Sequence, residues 1–407
     1  MKFITFLLDG MADYPLPELS GKTPLEVAFT PTLDYLASSA TFGTFISLPD
    51  GFPTSSDVAN LSVLGWDLKT SYTGRGAIET YGAGLTMDDE TVAYRLNLIT
   101  IKDNILYDYS AGHITEEEAK IIIEFLNEKL GNERIIFYPG VSYRNLLHLK
   151  GSEFSSEIEY EKPDSSHGKE WKKILPKAKN EYAKYTEEIL IELIYKSKEL
   201  LKNHPVNIKR IAENKNPANL IWPWSGGKKP DMPSFFNLYG KKGGIISAVD
   251  VILGIGRLGG MEVCKPEGAT GFIDTNYENK AKAAVDLLKR NDFVYLHLEA
   301  IDECGHLGDL NLKIKTIEEA DRRLIKTFFE IYQSEIQEPL RVMVLPDHPV
   351  PVSLRKHTRD PVPFMIWGEG VVPDNNIKTY SEKSVLCGKY LSLKNGELMR
   401  LFFSDTI

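Results

Sequence analysis

Three stretches of this chain are apolar at almost every position instead of every second one: KFITFLLDG from residue 2, DFVYLHLEA at 292–300 and LRVMVLPDH at 340–348. A strand with one wet face alternates, whereas a strand covered on both faces does not, so these runs predict strands inside a parallel sheet. Between the last two, KIKTIEEADRRLIKTFFEIYQ changes to a helical period that puts Ile314, Ile317, Leu324, Phe328 and Ile331 on one face. That is a strand, helix, strand unit. Near the start, TPTLDYLASSA offers Thr30 as a helix N-cap and Pro31 as the first helical residue.

The middle of the chain has its own punctuation. From about Tyr72 to Pro205, strands and helices follow one another, including a helix at 116–130 opened by a Thr115/Glu118 capping box and closed by Gly131. The stretch 155–189 is strongly charged and poor in large apolar side chains, which suits an exposed connection and a solvated helix face. The pattern predicts an α/β domain built from the two chain ends, residues 1–70 and 210–407, with a smaller α+β domain, 72–205, inserted in it.

Composition narrows the class. The 407 residues are 42% hydrophobic and 26% charged, as in a soluble globular protein of two or three domains. No apolar run approaches the roughly 18 residues of a membrane span, and the first one meets Asp9 after a few residues, with no cleavage site beyond. A cytoplasmic protein without membrane contact is expected. A net charge of −9 without a long basic block argues against nucleic acid as a partner. Three cysteines, Cys264, Cys304 and Cys387, form no CxxC pair, so reduced thiols are expected.

The chemistry gathers at the strand ends. Asp9 follows FITFLL, Asp302 and His306 follow FVYLHLEA, Asp347 and His348 follow VMVL, and His357 lies nine residues later. In open α/β sheets ligands bind beyond the carboxyl ends of the strands, so all of these groups would face one crevice. Asp302 and His306 are four apart, which brings both onto one side of a helical turn. Each residue singly reads as a cap, a turn or a core histidine. Together, carboxylates and imidazoles are ligands for divalent ions, and a bound metal makes several carboxylates in one place tolerable.

Three further motifs bear on function. In GFPTSSDVANLSVLGWD (51–67) a loop delivers Ser55, Ser56 and Asp57 to the start of an apolar helix, where free N–H groups favour an anion. Either serine would become a competent nucleophile beside a base or a metal. GIGRLGG (254–260) matches a dinucleotide fingerprint in letters alone: a short helix capped by Asp250 leads in and a strand follows, the reverse of what that site needs. A Walker loop is absent, so no nucleotide is expected. Arg75, Arg95, Arg144, Lys228 and Lys229 lie in glycine-flanked or strand-like settings where a cation can approach an anion closely.

Taken jointly, LLDGMAD, PTSSDVANLSVLG, DECGHLGD, LPDHPVP and HTRDPVPF resemble the alkaline phosphatase superfamily, and within it the archaeal-type cofactor-independent phosphoglycerate mutases. TGRGAIETYGAG, GVSYRNLL, NPANLIWPWSGGKKP and GATGFIDTNYE are similar to the same family, so the likeness spans nearly the whole chain. The resemblance implies an alkaline phosphatase-like three-layer α/β core with a mostly parallel sheet. It implies two divalent metals, one held by Asp302, His306 and His357, the other by Asp9, Asp347, His348 and the nucleophile. The nucleophile precedes an acidic residue in that family, which selects Ser56. Manganese, zinc, cobalt and magnesium all suit such ligands. The implied reaction interconverts 3-phosphoglycerate and 2-phosphoglycerate through a phosphoserine, without bisphosphoglycerate, under an inserted domain that closes over the site. The implied partner is a small phosphorylated carboxylate. Candidates for gripping it are Arg75, Asp108, Arg144, His167 and Lys228, although KPDSSHGK departs from the family's arrangement around His167. A homoserine kinase-like transfer, a simple phosphomonoesterase and a non-catalytic metal-binding protein are the competing readings.

Overall fold

A computed structural model describes residues 1–374 and 376–407. The chain forms two compact units, Met1–Ser71 with Met232–Ile407, and Tyr72–Asp231. The first unit is built on an eight-stranded sheet. At its centre lie Phe293–Leu298, Lys2–Leu8 and Leu340–Leu345, side by side and parallel, with Leu8 opposite Leu298 and Leu7 opposite Leu345. All three are the near-continuous apolar runs, and nearly every residue in them is buried. Val362–Gly368 is the antiparallel member, paired with both Leu340–Leu345 and Ala40–Ile46.

Helices cover both faces. Ile4, Phe6 and Leu8 pack with Ala281, Val285, Leu324 and Phe328 on one side. On the other, Phe3 and Phe293 meet Phe402 and Phe403 at ring distances of 5.0–6.3 Å. This is the three-layer, mostly parallel α/β core that the resemblance implied.

The helical stretch between Phe293–Leu298 and Leu340–Leu345 departs from its expected regularity. It runs as Leu310–Glu319, a π-helical turn at Ala320–Ile325, then Lys326–Glu335. The extra residue in that turn rotates the later face. Ile317, Leu324 and Phe328 are buried, but Ile314 and Ile331 are only half-buried, and Lys313 is buried instead. Thr30 is the N-cap residue of Pro31–Ala37 but makes no side-chain cap; the amides of Thr32 and Leu33 donate to Asp321, a cap supplied from 289 residues away. Likewise Asp250 begins the helix Asp250–Leu258 and does not cap it; the cap position belongs to Val249. The strand Glu262–Cys264 follows, as expected.

The second unit has a five-stranded antiparallel sheet centred on Thr91–Lys102, flanked by Arg144–Lys150 and Leu220–Lys228. Glu116–Leu130 and Lys184–Leu201 pack on it through Ile122, Ile123, Leu190 and Ile194. The Thr115/Glu118 capping box is present, each side chain accepting from the other's amide at 3.2–3.3 Å. The second unit extends to Asp231, beyond the expected end at 205, and the first resumes at Met232 instead of 210. The cause is Leu220–Lys228, which pairs with Thr91–Lys102 and so belongs to this sheet. On the sheet's other face, the short helix Arg75–Gly82 sits almost on the backbone. A Cβ on Gly74 would lie 2.2 Å from the Gly226 carbonyl oxygen, and one on Gly76 2.2 Å from that of Ala93. The glycines of TGRG are thus needed for close approach.

Among the described residues no helix is long and apolar enough to cross a membrane.

Candidate metal centre

The three central strands end side by side, and the residue after each turns out of the sheet at the same edge. Asp9 follows Lys2–Leu8, Asp347 and His348 follow Leu340–Leu345, and Phe293–Leu298 runs into the helix Ala300–Leu307, which carries Asp302 and His306 one turn apart. His357 comes from the loop beyond Pro349. Ligand atoms of Asp302, His306 and His357 all lie within 4.8 Å of one another, and so do those of Asp9, Asp347 and His348.

The geometry inside this cluster would suit ligands facing a cation. Nε2 of His306 and Nε2 of His357 approach to 2.9 Å, and each lies 3.4 Å from an oxygen of Asp302. His306 Nδ1 is 3.0 Å from the Arg355 carbonyl oxygen and donates to it, which leaves Nε2 as a lone pair directed into the cluster. The rings of His348 and His357 stack at 3.8 Å. Asp9 Oδ1 and Asp302 Oδ1 are buried and make no hydrogen bond. Buried carboxylate oxygens without donors are costly, and a divalent ion would satisfy both. The donor set fits such an ion.

The electrostatics agree. Burial, then the charges of Asp347, Asp302 and Glu299, push Asp9 well above the ordinary carboxylate range. Burial also drives Asp302 upward, but the close approach of His357 and the positive charge that His357, His306 and His348 carry at acid pH outweigh it and hold its pKa down. Burial lowers His348 to about 4, so its imidazole is neutral at neutral pH.

Ser56 is the first residue of the helix Ser56–Val63, and its Oγ lies 3.1 Å from His348 Nε2. Ser55 occupies the cap position, buried, and its hydroxyl donates to Asp57 Oδ1. The two serines therefore separate: one faces the cluster, the other is committed to its own turn. Arg359, two residues past His357, donates to the carbonyls of Leu48, Pro49 and Phe52 and ties down the loop that leads to Ser56.

Sequence reading passed over several supporting residues. Asn60 Nδ2 donates to Asp347 Oδ2 at 2.9 Å and to the Ser56 carbonyl at 2.8 Å, and Tyr295 donates to Asn60 Oδ1 at 2.6 Å. His297 Nε2 lies 3.0 Å from Asp9 Oδ2 and 3.7 Å from Glu299. These residues sit inside apolar runs, where a polar letter reads as an ordinary core exception.

In the second unit, Glu79 collects the cations. Its carboxylate is 2.7 Å from both Arg75 and Arg95, and Arg144 contributes further positive charge. Burial would raise Glu79, but these guanidiniums, Arg95 first, hold it below its ordinary value. Arg95 is buried and lies over the Trp224 ring, whereas Arg144 is exposed over Tyr143. Lys228 ends its strand half-buried, and Lys229 pairs with Asp89. Asp108 accepts from Ser110, Gly112 and Asn216 and orders its own loop. His167 is exposed, its ring 6.3 Å from Tyr107.

Comparison with known proteins finds relatives along the whole chain. A family model described as 2,3-bisphosphoglycerate-independent phosphoglycerate mutase matches residues 37–207. A protein of that name from Methanosarcina mazei is 43% identical over 405 residues, covering 100% of each chain. A probable one from Geobacter sulfurreducens is 41% identical, covering 94% of this chain and 95% of its own. A solved protein from Pyrococcus horikoshii is 31% identical with a TM-score of 0.81, covering 98% of this chain and 96% of its own. The cofactor-independent phosphoglycerate mutase of Thermoplasma acidophilum is 26% identical with a TM-score of 0.66, covering 99% of both. At such identity over the full length, the chain belongs to the 2,3-bisphosphoglycerate-independent phosphoglycerate mutase family, a family of isomerases that transfer a phosphoryl group within one substrate.

Proposed function

We propose that this chain interconverts 3-phosphoglycerate and 2-phosphoglycerate through a phosphoserine at Ser56, beside two divalent cations. Asp302, His306 and His357 would hold one cation; Asp9, Asp347, His348 and Ser56 would hold the other. When bound, the cations would neutralise the carboxylates, make the serine hydroxyl a stronger nucleophile and offset charge on the transferring group. The observation that carries this reading is the 3.1 Å approach of Ser56 Oγ to His348 Nε2, beside buried carboxylate oxygens that make no hydrogen bond.

The chain's own residues set the geometry of transfer. Ser56 Oγ attacks the phosphorus of 3-phosphoglycerate as the bond to the 3-oxygen breaks, and the serine proton passes to that leaving glycerate oxygen. In the return step the 2-hydroxyl gives up its proton to a base and takes the group back, and the Ser56 oxygen released from phosphorus is reprotonated. Asn60 holds the Ser56 carbonyl and Asp347 in a fixed relation through both half-reactions. Arg75 and Arg144 are assigned to the glycerate carboxylate, together with Lys228, while the buried Arg95 offsets the charge of Glu79. Asp108 and His167 remain candidates for shaping that subsite. The substrate pair places the reaction in glycolysis and gluconeogenesis, in the cytoplasm. Manganese, zinc, cobalt or magnesium would serve as the ion.

Phosphorus NMR of 3-phosphoglycerate with metal-reloaded protein, without bisphosphoglycerate or nucleotide, tests this. Formation of 2-phosphoglycerate with little free phosphate, lost in Ser56→Ala, is expected. Free phosphate alone would replace the mutase by a phosphomonoesterase, and an unchanged spectrum would turn attention to ATP and homoserine.

A further inference from the structure

Lys313 is fully buried in the helix Leu310–Glu319, and its ammonium has three acceptors for its three protons. They are Asp13 Oδ2 at 2.8 Å, the Val350 carbonyl at 2.9 Å and the Ala12 carbonyl at 3.3 Å. These acceptors stand just behind the cluster: Ala12 is three residues after Asp9, and Val350 is two residues after His348. The two loops also touch directly, since the Val350 amide donates to the Ala12 carbonyl at 3.2 Å.

The third ligand-bearing segment meets the same point. A Cβ on Gly305, between Asp302 and His306, would lie 2.6 Å from the Val350 carbonyl oxygen, so this helix rests on the group that Lys313 grips. Asp13 extends the network by accepting from the amides of Val352 at 3.1 Å and Tyr14 at 2.8 Å. Its own amide donates to Glu382, which also accepts from Thr23.

A buried ion pair of this kind adds little net stability compared with an apolar pair of the same shape, because two charges must be stripped of water. Its contribution is geometric: the ammonium fixes two of the ligand-bearing segments to each other, and the third rests through Gly305 on the carbonyl it holds. We infer that Lys313 is a positioning residue for the metal cluster, setting the spacing of the 9–13, 302–306 and 347–352 segments so that they bind divalent cations tightly. This rests on the two-metal reading.

The test is the rise in melting temperature that Mn²⁺ gives to metal-free protein, read with calorimetric Mn²⁺ titration, for wild type, Lys313→Met and the milder Asp13→Asn. A ligand stabilises the native state in proportion to the logarithm of its concentration over Kd, so the shift reports affinity separately from fold stability. The expected result is a smaller shift in both variants and Mn²⁺ binding weakened about ten-fold or more. If a variant melts lower with and without Mn²⁺ but keeps the full shift, Lys313 is merely structural and the inference is overturned. Should Lys313→Met lack a cooperative melt, the shift in Asp13→Asn decides in the same way. No shift in wild type would instead remove the metal reading itself.

Discussion

The hydroxyl of Tyr295 donates to Asn60 Oδ1 at 2.6 Å, and both residues are buried beside the candidate metal centre. With its oxygen engaged, the Asn60 amide must present its NH₂ to Asp347 and to the Ser56 carbonyl. A phenol on a core strand thereby orients a carboxylate and the backbone of Ser56, the proposed nucleophile. Tyr295→Phe removes the constraint while preserving shape. It should weaken metal binding about ten-fold or more, the range for partners of metal ligands, and cost only about 1 kcal/mol of stability. Asn60→Asp should do worse, because it sets a carboxylate against that of Asp347. Calorimetric Mn²⁺ titrations beside urea melts measure both; equal affinities in wild type and Tyr295→Phe would refute the relay.

The two serines give the sharpest contrast. Ser56→Ala should lower turnover by about a thousand-fold or more and abolish any phosphorylated protein species in mass spectra of quenched reactions. Ser55→Ala loses a buried hydrogen bond to Asp57, worth about 1 kcal/mol, and should keep its phosphorylated species. A phosphoryl group found on Ser55 would reverse the assignment.

How far the sequence carried this picture depends on where each residue's signal lies. The placement of Asp9, Asp302, Asp347 and His348 was legible because several ionisable groups at or just past the ends of near-continuous apolar runs sit at strand ends or in the turn that follows, and adjacent parallel strands bring such ends together. Lys313 was illegible: a lysine among Ile314 and Ile317 reads as the wet face of an amphipathic helix, and only the partners Asp13 and Val350, distant in sequence, make it a core residue. The Asp321 cap on Pro31–Ala37 is hidden for the same reason. The end of the second unit was misplaced because LIWPWSGGK, buried along nearly all its length, has the pattern of a core strand but not the identity of its partner. Periodicity tells a strand's environment, and pairing decides which sheet it joins.

In the second unit, burial separates two arginines that look alike in sequence. Arg95 is enclosed between Glu79 and the Trp224 ring, so Arg95→Ala strands part of a buried carboxylate's charge and should cost about 3 kcal/mol. Arg144 is exposed, and Arg144→Ala should leave the melt unchanged while lowering kcat/KM for phosphoglycerate about ten- to hundred-fold, the value of one charged hydrogen bond. Steady-state kinetics and thermal melts on the two variants test the division of labour. An Arg144→Ala enzyme with unchanged kcat/KM would remove this residue from the substrate subsite.

Acid should unfold the protein partly through His148, which lies in the second unit away from the metal ligands. Its Nε2 is 2.9 Å from Thr80 Oγ1, and that hydroxyl already donates to the Gly76 carbonyl, so Nε2 must be the donor. Burial first, then Lys150, lowers its pKa to about 4 from an ordinary value of 6.5. Between those values the unfolded chain binds a proton that the folded chain refuses. Stability therefore falls as pH drops from 6.5 towards 4, by up to about 3 kcal/mol, and the loss levels off below. His148→Gln keeps a donor to Thr80 but cannot titrate. Urea unfolding of metal-free protein at several pH values should show wild type losing stability relative to the variant as pH falls through this window, whatever their offset at pH 7.5; parallel pH curves would show that His148 is not the group responsible.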